Sequence, residues 1–266
     1  MKLELDTDRM IAEIEDGIGW VIYNSPKRLN AISLEMTEAL PLIFDTFEER
    51  DDVRVVVIRG AGERAFVSGA DISEFEKNRS SEESRRIFDE KGKIAAARVD
   101  ALSKPIIAMI RGYCIGGGLM TALRADIRIA AEDAQFGIPA ARLGLGYGYG
   151  GVAALVNLVG PAAANEILFS ARRFSADEAL RMGLVNRVVA ASALEASVVD
   201  LARSIADNAP LTVRAAKFAI RECVRDPEAR DLDEAARLVE ACFRSEDYTE
   251  GRRAFMEKRR PAFRGR

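Results

Sequence analysis

"CIGGGLMTALRADIRIA" (residues 114–130) sets three consecutive glycines, Gly116 to Gly118, at the head of a helix-length segment that ends in a short apolar run. Glycines at a helix start leave several backbone N–H groups without an intrahelical acceptor, and such groups stabilise negative charge on a ligand. Met120 follows two residues after the last glycine, so an apolar thioether stands beside a turn suited to charge. The preceding stretch "PIIAMIRG" (105–112) is continuously apolar and β-branched, the pattern of a strand covered on both faces, and "DIRIA" (126–130) reads the same way. Strand, glycine turn, helix and strand in that order predict an α/β fold whose ligands sit at the carboxyl ends of the strands.

The flanking sequence extends this pattern. "VRVVVIRG" (53–60) is another buried strand, and "IAEIEDGIGWVIYN" (11–24) alternates around Asp16-Gly17, a dipeptide suited to a tight hairpin. "SLEMTEALPLIFDTFEER" (33–50) has helical periodicity, with Pro41 predicted to bend or interrupt it. "SADEALRMG" (175–183) is a helix with Ser175 as N-cap, Glu178 three residues on and Gly183 at its end, and "LVNRVV" (184–189) reads as one more strand. Beyond about residue 191 only helical patterns remain, one of them starting at Pro210. Strand–helix repeats to about residue 190 and a helical appendage after them are therefore expected. The nearly all-polar segment 74–93 reads as a solvated, mobile helix, with a lid over a pocket as the alternative, since "GADIS" just before it resembles a site.

With 266 residues, 48% hydrophobic and 30% charged, the chain has the composition of a soluble globular protein with a large core. No early apolar run resembles a signal peptide, and no stretch is read as approaching membrane-spanning length. Cys114, Cys223 and Cys242 lack metal-ligand or disulfide spacing, which fits a cytoplasmic protein without a metal. Histidine is absent, so proton transfer falls to a carboxylate, Tyr, Lys, Cys or water. A net charge of −3 gives no support to a nucleic-acid partner.

"GAGERA" (60–65) matches the G-x-G-x-x-A dinucleotide fingerprint, but that motif needs a long helix directly after it. Here a second turn, "VSGAD", follows within a few residues. More informative are two glycine turns after apolar strands, "AFVSGADI" (65–72) and "GYCIGGGLM" (112–120). Taken singly, each reads as a tight turn. Two such turns aiming N–H groups at one point would form an oxyanion hole, able to stabilise the enolate of a thioester.

"PKRLNAIS" (26–33), "AFVSGADI", "IRGYCIGGGLMTALRADIRIA", "QFGIPAARLGLGYGYGG", "SADEALRMGLVNRVV" and "AFMEKRRPAF" follow the order and spacing of the crotonase (enoyl-CoA hydratase/isomerase) superfamily, which the whole chain resembles. The resemblance implies a ββα spiral over residues 1–195, a helical trimerisation region over 196–266, acyl-CoA thioesters as substrates, and homotrimers often paired into hexamers. It implies no cofactor beyond the coenzyme A of the substrate, and no membrane partner. By position, the oxyanion N–H groups would be those of Ala70 and Gly117. Lys27, Arg28 and Leu29, with Ser68, Asp71 and Ile72, would hold the pantetheine and adenine of CoA. Gly116, Met120, Pro139 and Ala140 would line the substrate side. Phe255 and Lys258 match positions that reach CoA bound in a neighbouring subunit, where an aromatic face suits a purine and an ammonium suits phosphate.

The hydratases of the superfamily carry glutamates where this chain has Met120 and Ala140, and neither replacement exchanges a proton. Three readings follow. One is 2-enoyl-CoA hydration as in fatty acid metabolism, expected to be very weak here. Another is a different enolate reaction, such as isomerisation, decarboxylation or C–C cleavage, with Tyr147 as acid. The third is a non-catalytic acyl-CoA binder. Tyr147 and Tyr149 read either as packing residues of a glycine-rich loop or, Tyr147 first, as that acid, and Arg142 reads as a surface charge or a carboxylate ligand.

Overall fold

The computed structural model describes residues 1–71 and 82–266. Ile72 and the first part of the polar segment 74–93, with the lid reading placed on it, lie outside the described residues. From Glu82 the remainder of that segment forms a helix, α2 (Glu82–Ala101).

The apolar runs form the strands of one large sheet. β1 (Met10–Glu15) and β2 (Ile18–Tyr23) make the expected antiparallel hairpin, with both turn residues, Asp16 and Gly17, at positive φ. Parallel to β2 run β3 (Val55–Gly60), β5 (Ile106–Ile110), β7 (Ile127–Ala131) and β10 (Arg187–Val189), in the order β1-β2-β3-β5-β7-β10. A second sheet of very short strands, β4 (Ala65–Val67), β6 (Tyr113–Ile115), β8 (Gln135–Gly137) and β9 (Phe174–Ser175), lies in the order β4-β6-β8-β9. The chain thus sends one strand into the large sheet and the next into the small one three times over: β3 then β4, β5 then β6, β7 then β8. Helices α2, α3 (Gly117–Leu123) and, after a short 3₁₀ turn at Pro139–Leu143, α4 (Tyr149–Ser170) follow these pairs. This is the expected ββα arrangement. "GAGERA" is the connection from β3 to β4, and the strand that follows it leaves no room for a dinucleotide helix.

The main core fills the space bounded by the two sheets and α1 (Leu34–Glu49), with Phe44, Phe47, Phe66, Phe136 and Phe174 fully buried. Ser33 caps α1 by accepting from the Met36 N–H, and the helix runs unbroken through Pro41. The outer face of the large sheet is covered by α6 (Leu194–Ala206), whose Leu194, Val198 and Ala202 pack on Val55, Val57, Ile107 and Ile129. The first helix after residue 190 is therefore part of the core.

α5 (Ala176–Arg181) starts on the predicted Ser175–Glu178 capping box. At its end the Gly183 N–H bonds the Leu180 carbonyl and the Leu184 N–H that of Ala179, a Schellman closure. That closure shortens the predicted strand 184–189: Leu184 and Val185 are turn residues buried in the core, and only Arg187–Val189 pairs with β7. The membrane-span reading also needs correction. α4 spans 22 residues and is long and apolar enough to cross a membrane by length and composition. However, Gly160 (φ 75°, ψ 165°) followed by Pro161 kinks it, and Leu155, Ala164 and Ile167 are buried in the core.

Three further helices close the chain: α7 (Pro210–Cys223), α8 (Leu232–Arg244) and α9 (Glu246–Glu257). Lys217 of α7 ties them to the spiral, its buried ammonium donating to the Lys104 carbonyl at 2.6 Å and to Asp126 at 2.8 Å. Burial pulls this lysine down to about 8, against the opposing attraction of Asp126.

Candidate active site

β4 and β6 are parallel neighbours, so the turns at their carboxyl ends, Ser68–Ala70 and Gly116–Gly118, emerge side by side. The approach is close. A β-carbon on Gly117 would stand 3.7 Å from the Ala70 nitrogen, and one on Gly118 would fall 1.9 Å from the Val67 carbonyl oxygen, inside contact distance. Any side chain at 118 would push α3 off β4, which explains glycine there. Gly116 takes φ 56°, ψ −115°, which turns the chain from β6 into α3. Among the described residues neither the Ala70 N–H nor that of Gly117, the first residue of α3, has an internal acceptor.

The segment Pro26–Ser33 is stitched to the first of these turns by backbone pairs: Ser68 N–H to Leu29 O, Ile32 N–H to Gly69 O, and Asp71 N–H to Ile32 O. Two side chains add to this, and neither role was legible in the sequence. Asn30, fully buried and at φ 54°, accepts from the Ser25 N–H and donates to the carbonyls of Ala61 and Ala65 at 3.0 and 2.8 Å. Each such bond is worth about 1 kcal/mol net, and orphaning its buried partners costs about 1–3 kcal/mol each. The signal available was an asparagine in a turn, the residue type that best tolerates φ above zero after glycine. Arg28 forms an ion pair with the buried Asp71 carboxylate at 2.6 Å, so both are spoken for by side-chain chemistry as well as backbone position. Lys27 is exposed in the 3₁₀ turn Pro26–Arg28.

The loop 139–151 reaches the same place from the other side. A β-carbon on Gly116 would stand 3.6 Å from the Tyr147 hydroxyl and 4.0 Å from Pro139 Cδ. One on Gly151 would stand 3.2 Å from the Met120 sulfur and 3.9 Å from Tyr147 Cδ1. Ala140 is buried, with the Leu145 N–H closing on its carbonyl. Tyr147 is half-buried, and burial pushes its phenol above the ordinary value. The structure thus brings together Leu29, Ser68, Ala70, Asp71, Gly116, Gly117, Met120, Pro139, Ala140 and Tyr147. It leaves out Tyr149, 88% exposed at the start of α4, and Arg142, which is exposed. Phe255 and Lys258 lie at the end of α9. Phe255 lines a groove with α7 and α8, far along the chain from these turns, and none of the turn residues lines that groove. Cys114 is fully buried beneath the second turn, where desolvation holds its thiol protonated. Among the described residues no cluster of His, Cys, Asp or Glu could hold a metal ion.

Two sheets wound as ββα units, with paired glycine turns at the carboxyl ends of neighbouring strands, define a crotonase-fold protein. Residues 13–266 match the enoyl-CoA hydratase/isomerase family, and the chain belongs to it. It is 37% identical to a short-chain-enoyl-CoA hydratase of Clostridium acetobutylicum over 96% of this chain and 97% of that one. It is 36% identical to a carnitinyl-CoA dehydratase of Salmonella typhi over 92% and 94% of the two chains. A crystal structure from Magnetospirillum magneticum, described as an enoyl-CoA hydratase/carnithine racemase, superposes with a TM-score of 0.91 at 38% identity, covering 98% of this chain and 97% of the other.

Proposed function

We propose that this chain is an acyl-CoA-processing enzyme whose Ala70 and Gly117 N–H groups hold the oxygen of a thioester enolate, and whose Tyr147 phenol carries the proton. The observation that supports this most is the Tyr147 hydroxyl, 3.6 Å from where a β-carbon on Gly116 would lie and therefore beside the turn that presents the Gly117 N–H. Hydration requires a base to take a proton from water, and Met120 and Ala140 supply none. A phenol held above its ordinary value is an acid at neutral pH. The enolate chemistry that needs an acid but no base is decarboxylation. In a 2-carboxyacyl-CoA the C–C bond to the carboxylate breaks and CO₂ leaves. The bonding pair becomes the enolate, held by the two N–H groups, and Tyr147 then gives its proton to the α-carbon and regains one from water. The family's membership and the names of its relatives support the thioester class of substrate.

The test compares 2-carboxyacyl-CoAs with crotonyl-CoA in D₂O. The expected result is CO₂ release with one deuterium at the α-carbon of the product, and crotonyl-CoA hydration at least about 10²-fold slower, the usual weight of a missing acid–base group. Fast hydration of crotonyl-CoA with no decarboxylation would overturn the reading. Tight binding with no turnover of either would mark a non-catalytic binder.

The same proposal includes a homotrimer built on the C-terminal helices. Its support is a mainly apolar groove of about 720 Å³ between α7, α8 and α9, edged by the exposed Val239, Phe243 and Phe255. Covering those side chains against a second copy of the chain would remove their apolar surface from water. Sedimentation should give a mass near three times the 29.1 kDa of one chain; a stable folded monomer at micromolar concentration would refute the trimer.

A further inference from the structure

We infer that Met120, which stands where the hydratases of the family carry a glutamate, is a positioning residue for Tyr147: its thioether and the bare face of Gly151 form the shelf on which the phenol ring rests. This rests on the reading of Tyr147 as the proton donor. Three observations carry it. First, Met120 belongs to the same turn as the oxyanion glycines. Its N–H donates to the Gly116 carbonyl at 3.1 Å, so it rises one helical turn above the residue beside which the Tyr147 hydroxyl lies. Side chains in a first helical turn lean back toward the helix start, which directs the Met120 chain toward that hydroxyl's surroundings rather than away from them.

Second, the contacts converge on one glycine. Gly144, Gly146, Gly148 and Gly150 stand in open space, where an added β-carbon would meet nothing within 4 Å. Gly151 differs: its β-carbon would press on the Met120 sulfur at 3.2 Å and lie 3.9 Å from Tyr147 Cδ1. Both side chains therefore share the space over Gly151, and both pack on the main core at its edge. Third, no polar group among the described residues holds the phenol. Among the described residues the Tyr147 hydroxyl makes no hydrogen bond, and burial alone accounts for its raised titration. A ring without a hydrogen-bonded tip keeps one orientation only through packing. A polarizable, unbranched thioether beside an aromatic ring suits that purpose, whereas a glutamate at 120 would place a carboxylate against the phenol instead.

The experiment measures two things in Met120→Ala, Met120→Leu and Gly151→Ala: the titration of Tyr147, read as tyrosinate absorbance against the same background carrying Tyr147→Phe, and deuterium incorporation with a 2-carboxyacyl-CoA. In Met120→Ala the Tyr147 titration should fall toward about 10, the ordinary phenol value, as the ring gains water. Isotope incorporation should drop roughly tenfold or more with acyl-CoA affinity little changed, because a displaced acid loses its near-attack geometry. Met120→Leu, close in volume, should recover most of what Met120→Ala loses in both readouts. Gly151→Ala puts a good helix former into the first turn of α4, so a purely structural glycine there would give a protein at least as stable and equally active. Reduced incorporation in that folded variant is the expected result. An unchanged Tyr147 titration and unchanged incorporation in Met120→Ala, or a fully active Gly151→Ala, would overturn the inference. Failure of the underlying reading looks different: Tyr147→Phe alone would then incorporate deuterium at the parent rate, whatever the titrations show.

Discussion

Tyr147→Phe is expected to slow α-carbon protonation by about 10²- to 10⁴-fold, the range for loss of a general acid, while leaving acyl-CoA affinity nearly intact. The substitution removes one oxygen from a half-buried ring that makes no hydrogen bond among the described residues, so the fold has little to lose. The pH profile of the parent carries the sign of the effect. Tyr147 is raised by burial, and only its protonated form donates. Activity limited by this group is therefore present throughout the neutral range and lost as pH rises past the ordinary tyrosine value of about 10. A limb that falls between pH 6 and 9 and survives Tyr147→Phe would assign the acid to another group. Product analysis adds a second check: with the phenol gone, deuterium should still enter from solvent, but slowly and without facial preference.

Gly117→Pro should cost about 10²- to 10³-fold in turnover, the loss seen when one oxyanion donor is removed. Proline suits this test because Gly117 is the first residue of α3, the helical position at which proline is best tolerated and where the missing N–H breaks no intrahelical bond. The control is Gly117→Ala, which keeps the N–H and adds a β-carbon 3.3 Å from Ile32 Cδ1, tight but relieved by a small shift of a side-chain tip. Alanine should retain most of the activity and proline almost none, with both proteins folded by circular dichroism. Equal activity in the two would show that the Gly117 N–H does not meet the substrate oxygen. A proline variant that also fails to bind acyl-CoA would instead point to its ring filling the site, which titration calorimetry separates from a slow chemical step.

Both variants concern features legible in the sequence, because glycine runs and tyrosines in a glycine-rich loop are local signals. The strands of the large sheet were equally legible. β3 and β5 are mainly apolar runs rich in valine and isoleucine, and burial on both faces favours that composition. The capping box at Ser175 was readable because its partners are three residues apart. The small sheet was not. β4, β6 and β8 have three residues each, too few for any periodicity, and their pairing joins residues some twenty or more positions apart. The strand expected at 184–189 failed for a related reason: its apolar residues Leu184 and Val185 are buried by a helix-ending turn, and burial alone does not distinguish a turn from a strand.

By itself, then, the sequence determined the alternation of buried strands and helices, the two glycine turns, the absence of a carboxylate at Met120 and Ala140, and the candidate acid, all of which are written within segments of a few residues. Only the tertiary structure decided what those segments do together. That the Ala70 and Gly117 turns lie side by side follows from β4 pairing with β6. Asn30 and the Arg28–Asp71 pair hold the first turn through contacts between residues up to 43 positions apart. That Met120 and Tyr147 both come up to Gly151 depends on α3 and the start of α4 converging on one point. Local patterns are set by backbone preferences that each residue carries with it. Side-chain partners across the fold are set by which strands pair and which helix starts are brought together, and no single segment encodes that.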